Sequence, residues 1–204
     1  MAKRVFDVLV SASALLILAP LMLVVMLAVR LDSAGPAIFR QTRVARGGRL
    51  FEMLKFRSMS GVQPPAAPLL TVAGDARITR LGAFLRRSKL DELPQLVNVL
   101  KGDMSLVGPR PEVPRYVALY PPRLRDLILS VRPGITDEAS IEFSNEGDLL
   151  AGGVDPEKQY VEEILPRKLE IYARYAREHT FARDLRILLR TLSLVAPRGP
   201  PTDC

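Results

Sequence analysis

The chain has one cysteine, Cys204, one histidine, His179, and no tryptophan among its 204 residues. A single thiol excludes an internal disulfide framework and argues against a thiol nucleophile. A single imidazole excludes histidine clusters on a metal and leaves the chemistry to carboxylates and cations. Aromatic residues make up 6% of the sequence, too few to supply stacking platforms for single-stranded nucleic acid. No G-x-G-x-x-G, P-loop or internal repeat occurs, so nucleotide binding, where it exists, uses other devices.

Positive charge is plentiful, and apolar residues are concentrated in one block. Lys and Arg number 29 against 22 Asp and Glu, a net charge of +7, which implies an anionic partner: anionic lipid, a phosphorylated substrate or nucleic acid. With 48% hydrophobic residues the chain can bury one proper core. The expected organisation is a membrane element over residues 1–34 and one membrane-associated domain over residues 35–204. Lys3, Arg4 and Asp7 precede an uncharged run from Val8 to Val29, and Arg30 ends it. As a helix this run would extend roughly 33 Å, enough for a hydrocarbon core of about 30 Å. A cleaved signal peptide would need a shorter apolar region. The two other arrangements are a Pro-kinked spanning helix and a re-entrant hairpin broken at Pro20 into arms of roughly 17 Å. Lys3 and Arg4 on one flank, with Arg30, Arg40, Arg43, Arg46 and Arg49 on the other, favour the hairpin, because positive-inside bias then holds both flanks in the cytoplasm.

Beyond this run the patterning is that of an α+β domain, mostly helical with one short β-hairpin. Ala37 to Val44 and Arg49 to Phe56 read as two strands joined around Ala45-Arg46-Gly47-Gly48. Alternation puts Lys55 and Arg57 on one face, where they could hold phosphate together or form a solvated basic surface. A Pro/Ala-rich loop follows at Gly61 to Pro68, then a helix with Ile78, Leu81 and Leu85 on one side. Arg123 to Val131 and Phe181 to Val195 are basic and amphipathic, suited to a bilayer surface, although ordinary core helices have the same pattern. Asp155-Pro156-Glu157 starts a helix whose apolar residues, up to Glu178, return to the domain.

The stretch that organises the rest is Leu90-Asp91-Glu92-Leu93-Pro94. Leu93, Leu96, Val97 and Leu100 recur at helical spacing, which predicts a helix from near Asp91 to just before Gly102 and puts both carboxylates in its first turn. The positive end of the helix dipole there favours an ionised Asp91, and an ionised carboxylate beside Arg86, Arg87 and Lys89 can attack phosphorus. The plainer reading is capping: Ser88 and Asp91 have the spacing of a capping box, and the basic residues complement the end of the preceding helix. Density of cations around a carboxylate pair, a Gly-Pro-Arg-Pro loop at Gly108 to Pro111, and an upstream membrane run together favour the chemical reading.

Five ordered segments carry a resemblance: Lys55-Phe56-Arg57-Ser58-Met59, Leu90 to Leu96, Asn98 to Ser105, Gly108 to Pro111, and Arg132-Pro133-Gly134-Ile135-Thr136. Together they resemble the monotopic bacterial phosphoglycosyl transferases, the initiating sugar transferases of glycoconjugate and polysaccharide biosynthesis, in their small single-domain form. The resemblance implies transfer of a sugar 1-phosphate from a UDP-sugar to polyprenol phosphate with Mg²⁺, a covalent phosphosugar on an Asp, and release of UMP. It implies a re-entrant membrane helix, interfacial amphipathic helices and a catalytic domain on the cytoplasmic face of the bacterial inner membrane. It also implies contact with inner-leaflet lipids and hand-over to downstream glycosyltransferases, with no nucleic-acid partner. By motif position Asp91 is the nucleophile and Mg²⁺ contact, and Glu92 is its acidic partner. Arg86 meets the polyprenol phosphate, and Pro109 and Arg110 lie on the nucleotide side. Two positions depart from the pattern: Ala19-Pro20 where many relatives have Ser-Pro, and Ser144 where they often have Arg. The alternatives are a non-catalytic, membrane-attached basic module that binds anionic lipid or nucleic acid, which leaves the Asp91-Glu92 pair unexplained, and an aspartyl-phosphate phosphatase, for which the D-x-D spacing is missing.

Overall fold

In a computed structural model, defined over residues 2–60 and 70–195, the apolar run forms one long helix, α1 (Ala2–Asp32). The helix continues through Pro20 instead of ending there. Proline removes a single N–H, and its neighbours Leu18, Ala19, Leu21 and Met22 are strong helix formers, so the turns on either side persist. The helix is long and apolar enough to cross a membrane by length and composition. Its middle is bare, with Leu16 79% and Ile17 74% exposed, and Leu23, Val24 and Leu27 also exposed.

The two ends of α1 are fastened to the rest of the chain. Near the start, Lys3 Nζ donates to Val107 O (3.1 Å) and pairs with Asp184 (2.5 Å), Arg4 donates to Val99 O (2.7 Å), and Asp7 accepts from Ser105 Oγ (2.7 Å). At the far end Val25 and Val29 are buried with Ala37, Phe56 and Leu85.

Strands β1 (Ile38–Val44) and β2 (Leu50–Phe56) pair antiparallel in the expected hairpin. Gly47 (φ 71°) and Gly48 (φ 79°) supply the left-handed turn. Helix α2 (Arg80–Arg87) starts at Thr79, whose side chain accepts from Gly82 N (2.9 Å), and it lies directly on the chain leaving β2. A Cβ at Gly82 would stand 2.0 Å from Ser58 O, so only glycine permits that approach. The expected loop at Gly61 to Pro68 lies outside the described residues. Helix α3 (Gln95–Lys101) stops at Gly102 in the left-handed region, as its pattern predicts.

A second sheet pairs β3 (Ser105–Val107) with β4 (Gly134–Thr136) in parallel. Two glycines meet there: a Cβ on Gly134 would lie 2.1 Å from Gly108 N, and one on Gly108 would lie 2.3 Å from Arg132 O. Between these strands run the short helices α4 (Pro114–Val117) and α5 (Pro122–Ile128), and beyond them α6 (Glu138–Glu142), α7 (Glu146–Ala151) and α8 (Pro156–Gln159). Asp155 caps α8 by accepting from Glu157 N and Lys158 N. A π-helical turn, Tyr160–Ile164, then leads into α9 (Leu165–Glu178), followed by α10 (Phe181–Val195). Tyr116, Tyr160, Leu169 and Tyr172 form one core, and Phe51, Met53, Val99, Met104 and Ile187 another, so β2 and α3 share one buried seam.

Candidate active site

Asp91 and Glu92 occupy a 3-10 turn, Leu90–Glu92, one turn ahead of α3 rather than inside its first turn. Pro94 explains the offset, because a residue without N–H cannot close an α-helical bond and the turn before it tightens to i→i+3, with Leu93 N donating to Leu90 O (3.2 Å). Ser88 does not form the capping box. Its hydroxyl turns back to Phe84 O (2.9 Å) and Leu85 O (3.2 Å) and closes α2 instead. Between the two helices Lys89 adopts the left-handed conformation at φ 56°, alone among the described non-glycine residues. Such a residue is held at a cost of order 1 kcal/mol or more, so the approach to the dyad is a strained bend.

The cations close on Glu92. Its Oε1 accepts from Arg110 Nη2 (2.6 Å) and from Lys55 Nζ (3.1 Å). Burial alone would push this carboxyl up, but Arg110 and Lys55 together hold it well below the usual carboxylate range. Arg110 is correspondingly raised, chiefly by the Glu92 charge. Asp91 is in the opposite position. It is 6% exposed, and its Oδ1 meets no hydrogen-bond partner. Burial raises its pKa, the Glu92 charge adds to that, and Lys55 and Arg86 only partly oppose them. Helix-end reasoning predicts a readily ionised Asp91, whereas here Glu92 takes the positive charge and Asp91 is left short of it.

Arg86, in the last turn of α2, donates from Nε to Ser58 Oγ (2.9 Å) and contributes positive charge toward Asp91. Pro109 and Arg110 follow β3, and Gly134 N donates to Pro109 O (3.0 Å), so the parallel sheet sets the loop that presents Arg110. Lys55, Arg86, Asp91, Glu92 and Arg110 therefore surround one place. Arg57 does not join them. It lies one residue past β2, and its guanidinium donates to Val29 O (3.0 Å), Ser33 O (2.5 Å), Pro36 O (2.5 Å) and Ser33 Oγ (3.1 Å), capping α1. The expectation that Lys55 and Arg57 hold phosphate together fails because the strand ends at Phe56 and the last carbonyls of a long helix take the arginine.

Two charged residues behind the site were missed by sequence reasoning. Asp137, just past the Arg132 to Thr136 segment, is buried and caps α6 by accepting from Ser140 N (2.9 Å), while Arg110 acts on it electrostatically. Lys168 is buried on α9, where it pairs with Glu146 and lies over the rings of Tyr160 (5.2 Å) and Phe143 (6.0 Å). It was legible in one respect: it occupies an apolar position in the series Leu165, Lys168, Leu169 and Tyr172. Ser144 is exposed, and the amine of Lys168 stands against residues on either side of it. A cavity of about 360 Å³ lined by Lys3, Arg4, Arg46, Arg132 and His179 lies at the opposite end of α3 from the dyad. Two of its arginines are engaged in capping α3, Arg4 on Val99 O and Leu100 O and Arg132 on Gly102 O.

Comparison with known proteins bears on this constellation. A family model described as bacterial sugar transferase matches residues 1–198. The chain belongs to that family, the initiating phosphoglycosyl transferases that its motifs resemble. It is 39% identical over 192 residues to a UDP-glucose:undecaprenyl-phosphate glucose-1-phosphate transferase of Caulobacter vibrioides, covering 93% of this chain and 68% of that protein. It is 36% identical over 193 residues to an Escherichia coli protein of the same name, covering 93% of this chain and 39% of that one. It is also 41% identical over 148 residues to a UDP-N-acetylgalactosamine-undecaprenyl-phosphate N-acetylgalactosaminephosphotransferase of Aeromonas hydrophila, covering 72% of this chain and 35% of that protein.

Proposed function

We propose that this bacterial sugar transferase moves a sugar 1-phosphate from a UDP-sugar to polyprenol phosphate, releasing UMP, through a phosphosugar carried on Asp91. One observation carries the reading: a buried carboxylate oxygen without a partner, Asp91 Oδ1, stands among Arg86, Lys55 and a neighbouring acid whose own charge is already matched. The names of the relatives support UDP-sugars and undecaprenyl phosphate as the substrate classes, with glucose and N-acetylgalactosamine both represented.

Asp91 Oδ1 forms a bond to the sugar-bearing phosphorus while the bond from that phosphorus to the UMP oxygen breaks, and UMP leaves with the electron pair. An oxygen of polyprenol phosphate then attacks the acyl phosphate, which returns Asp91 as a carboxylate and yields the sugar on a polyprenol diphosphate. Both steps need neutralisation of phosphate charge more than a strong base. Glu92 fixes Lys55 and Arg110 in place, Arg110 faces the diphosphate, and Arg86 meets the lipid phosphate. Among the described residues no three His, Cys, Asp or Glu side chains form a cage, but Mg²⁺ is commonly bound by one carboxylate together with substrate phosphates, so the Asp91 carboxylate, through the oxygen that does not attack, fits the protein's share of its ligands. When bound there, Mg²⁺ would supply charge neutralisation for the diphosphate and favour the ionised form of the carboxylate. The test is radiolabel trapping with a panel of UDP-sugars and no lipid acceptor. UMP release with labelled sugar phosphate on the protein is expected, and UMP release without any protein label would refute the covalent step.

The same reading includes a monotopic attachment to the inner membrane with the catalytic domain in the cytoplasm. It is supported by the attachment of both α1 ends to one body, through Lys3, Arg4 and Asp7 at one end and Val29, Ser33 and Pro36 at the other. A second support is the exposed stripe Phe181, Leu185, Leu189 and Leu192 on α10, which the edge-to-face contact of Phe6 with Phe181 (5.1 Å) brings beside α1. In a Cys204→Ser background, Lys3→Cys and Arg46→Cys should both react with an impermeant thiol reagent only after the inner face is opened. Labelling of the Lys3 position from the periplasm would refute this topology.

A further inference from the structure

Three polar residues fall on one face of the helical run that begins at the dyad: Asp91, Gln95 and Asn98, at i, i+4 and i+7. Leu93 (φ −53°, ψ −38°) and Pro94 (φ −60°, ψ −19°) keep right-handed helical angles, so the 3-10 turn passes into α3 without a break. Asn98 is fully engaged. Its Oδ1 accepts from Leu54 N (3.0 Å) and its Nδ2 donates to Glu52 O (2.8 Å), so the amide serves the outer edge of β2 in place of another strand.

Gln95 is one turn nearer the dyad and has 0% exposure, yet neither its Nε2 nor its Oε1 meets a partner. Ser11, Tyr116 and Gln159 each leave one side-chain atom bare, but among the described residues Gln95 alone leaves a whole amide so. The next bare atom along the same face is Asp91 Oδ1. A buried amide without partners is destabilising, and an apolar side chain of the same length would suit the seam between β2 and α3 better. The fold therefore does not account for glutamine at this position. Side chains four apart on a helix are about 5–6 Å apart at Cβ, within reach of one hydrogen bond between an amide and a carboxylate.

We propose that Gln95 is a positioning residue for the nucleophile: its Nε2–H donates to the Asp91 carboxylate as that side chain turns to the bound diphosphate, and it fixes the rotamer for in-line approach to phosphorus. The role rests on the reading of Asp91 as the nucleophile. It differs from that of Asn98, whose amide is committed to β2.

The test compares Gln95→Met, a second apolar replacement Gln95→Leu, and Asn98→Met as the structural contrast, all in the full chain purified in detergent. For both Gln95 variants the melting temperature should stay level or rise and KM for the UDP-sugar should hold within about twofold, while kcat for UMP release falls roughly tenfold to a hundredfold, as expected for loss of alignment alone. Asn98→Met should instead lower the melting temperature. An unaltered kcat in the Gln95 variants, or a fall in their melting temperature matching that of Asn98→Met, overturns the positioning role. Absence of UMP release from the unaltered protein with every UDP-sugar overturns the transfer reading itself, and this role with it.

Discussion

Replacing Arg110 by Met removes the shorter of the two contacts on Glu92 and leaves Lys55 alone to balance a buried carboxylate. The bond is short, 2.6 Å, and its side chains are 30% and 13% exposed, so solvent screens it less than a surface pair. A hydrogen bond to a charged group contributes about 1.5–3 kcal/mol, and loss of one partner of a fully buried pair costs about 3–5 kcal/mol. Arg110 is close to one-third exposed, and Lys55 still holds the same oxygen at 3.1 Å, so the expected loss is about 2 kcal/mol. For a chain of this size that corresponds to a fall of about 4–8 °C in melting temperature. Thermal unfolding of wild type, Arg110→Met, Glu92→Gln and the double variant in one detergent forms a closed cycle. The double variant should be about 1–2 kcal/mol better than the sum of the singles, because it removes charge and countercharge together. Additivity within about 0.5 kcal/mol would refute the claim that Arg110 grips Glu92. The pH dependence has a definite sign. Glu92 is held below its ordinary value, so its contribution is fully present above the unfolded pKa of about 4.3 and fades as pH falls toward the depressed folded value.

Other outcomes follow from the same geometry. Asp91→Asn should abolish both UMP release and protein labelling while leaving the melting temperature level or higher, because a carboxylate disfavoured by burial becomes a neutral amide; labelled protein in that variant would return Asp91 to a structural role. Arg57→Met should lower stability by about 2 kcal/mol through loss of the α1 cap and leave KM for the UDP-sugar unchanged. A raised KM at unchanged melting temperature would instead restore Arg57 to phosphate binding. Gly82→Ala should cost roughly 1–3 kcal/mol by driving a Cβ into Ser58 O and should weaken use of polyprenol phosphate by moving Arg86, and Arg86→Ala alone should weaken the same half-reaction. Wild-type melting and kinetics in Gly82→Ala would show that α2 does not hold Arg86 in place.

What could be read from the sequence is what neighbours along the chain decide. Alternation with two glycines between the runs is enough for β1 and β2, and the leucine spacing with Gly102 behind it is enough for α3. The Asp91-Glu92 pair itself was visible because two acids follow a basic run. Which of the two acids the cations hold was not visible. That choice is made by Lys55, 37 residues before Glu92, which a local hairpin carries to a distant acid, and by Arg110, 18 residues after it, which is aimed by a sheet whose pairing is non-local. The β3–β4 pairing joins Ser105 to Gly134 and leaves only three-residue strands, too short for any periodicity to show. Arg57 shows the same limit from the other side. Alternation puts Lys55 and Arg57 on one face only while the strand lasts, and the residue just past it answers to whatever backbone lies nearby. Here that backbone is the end of a 31-residue apolar helix and the chain just past it, where Val29 O, Ser33 O and Pro36 O all accept from the guanidinium. Arg57 in the Lys-Phe-Arg-Ser-Met segment is therefore explained by anchoring the long apolar helix, and Lys55, two residues earlier, by holding the acid beside Asp91, so one short segment ties that helix to the candidate site.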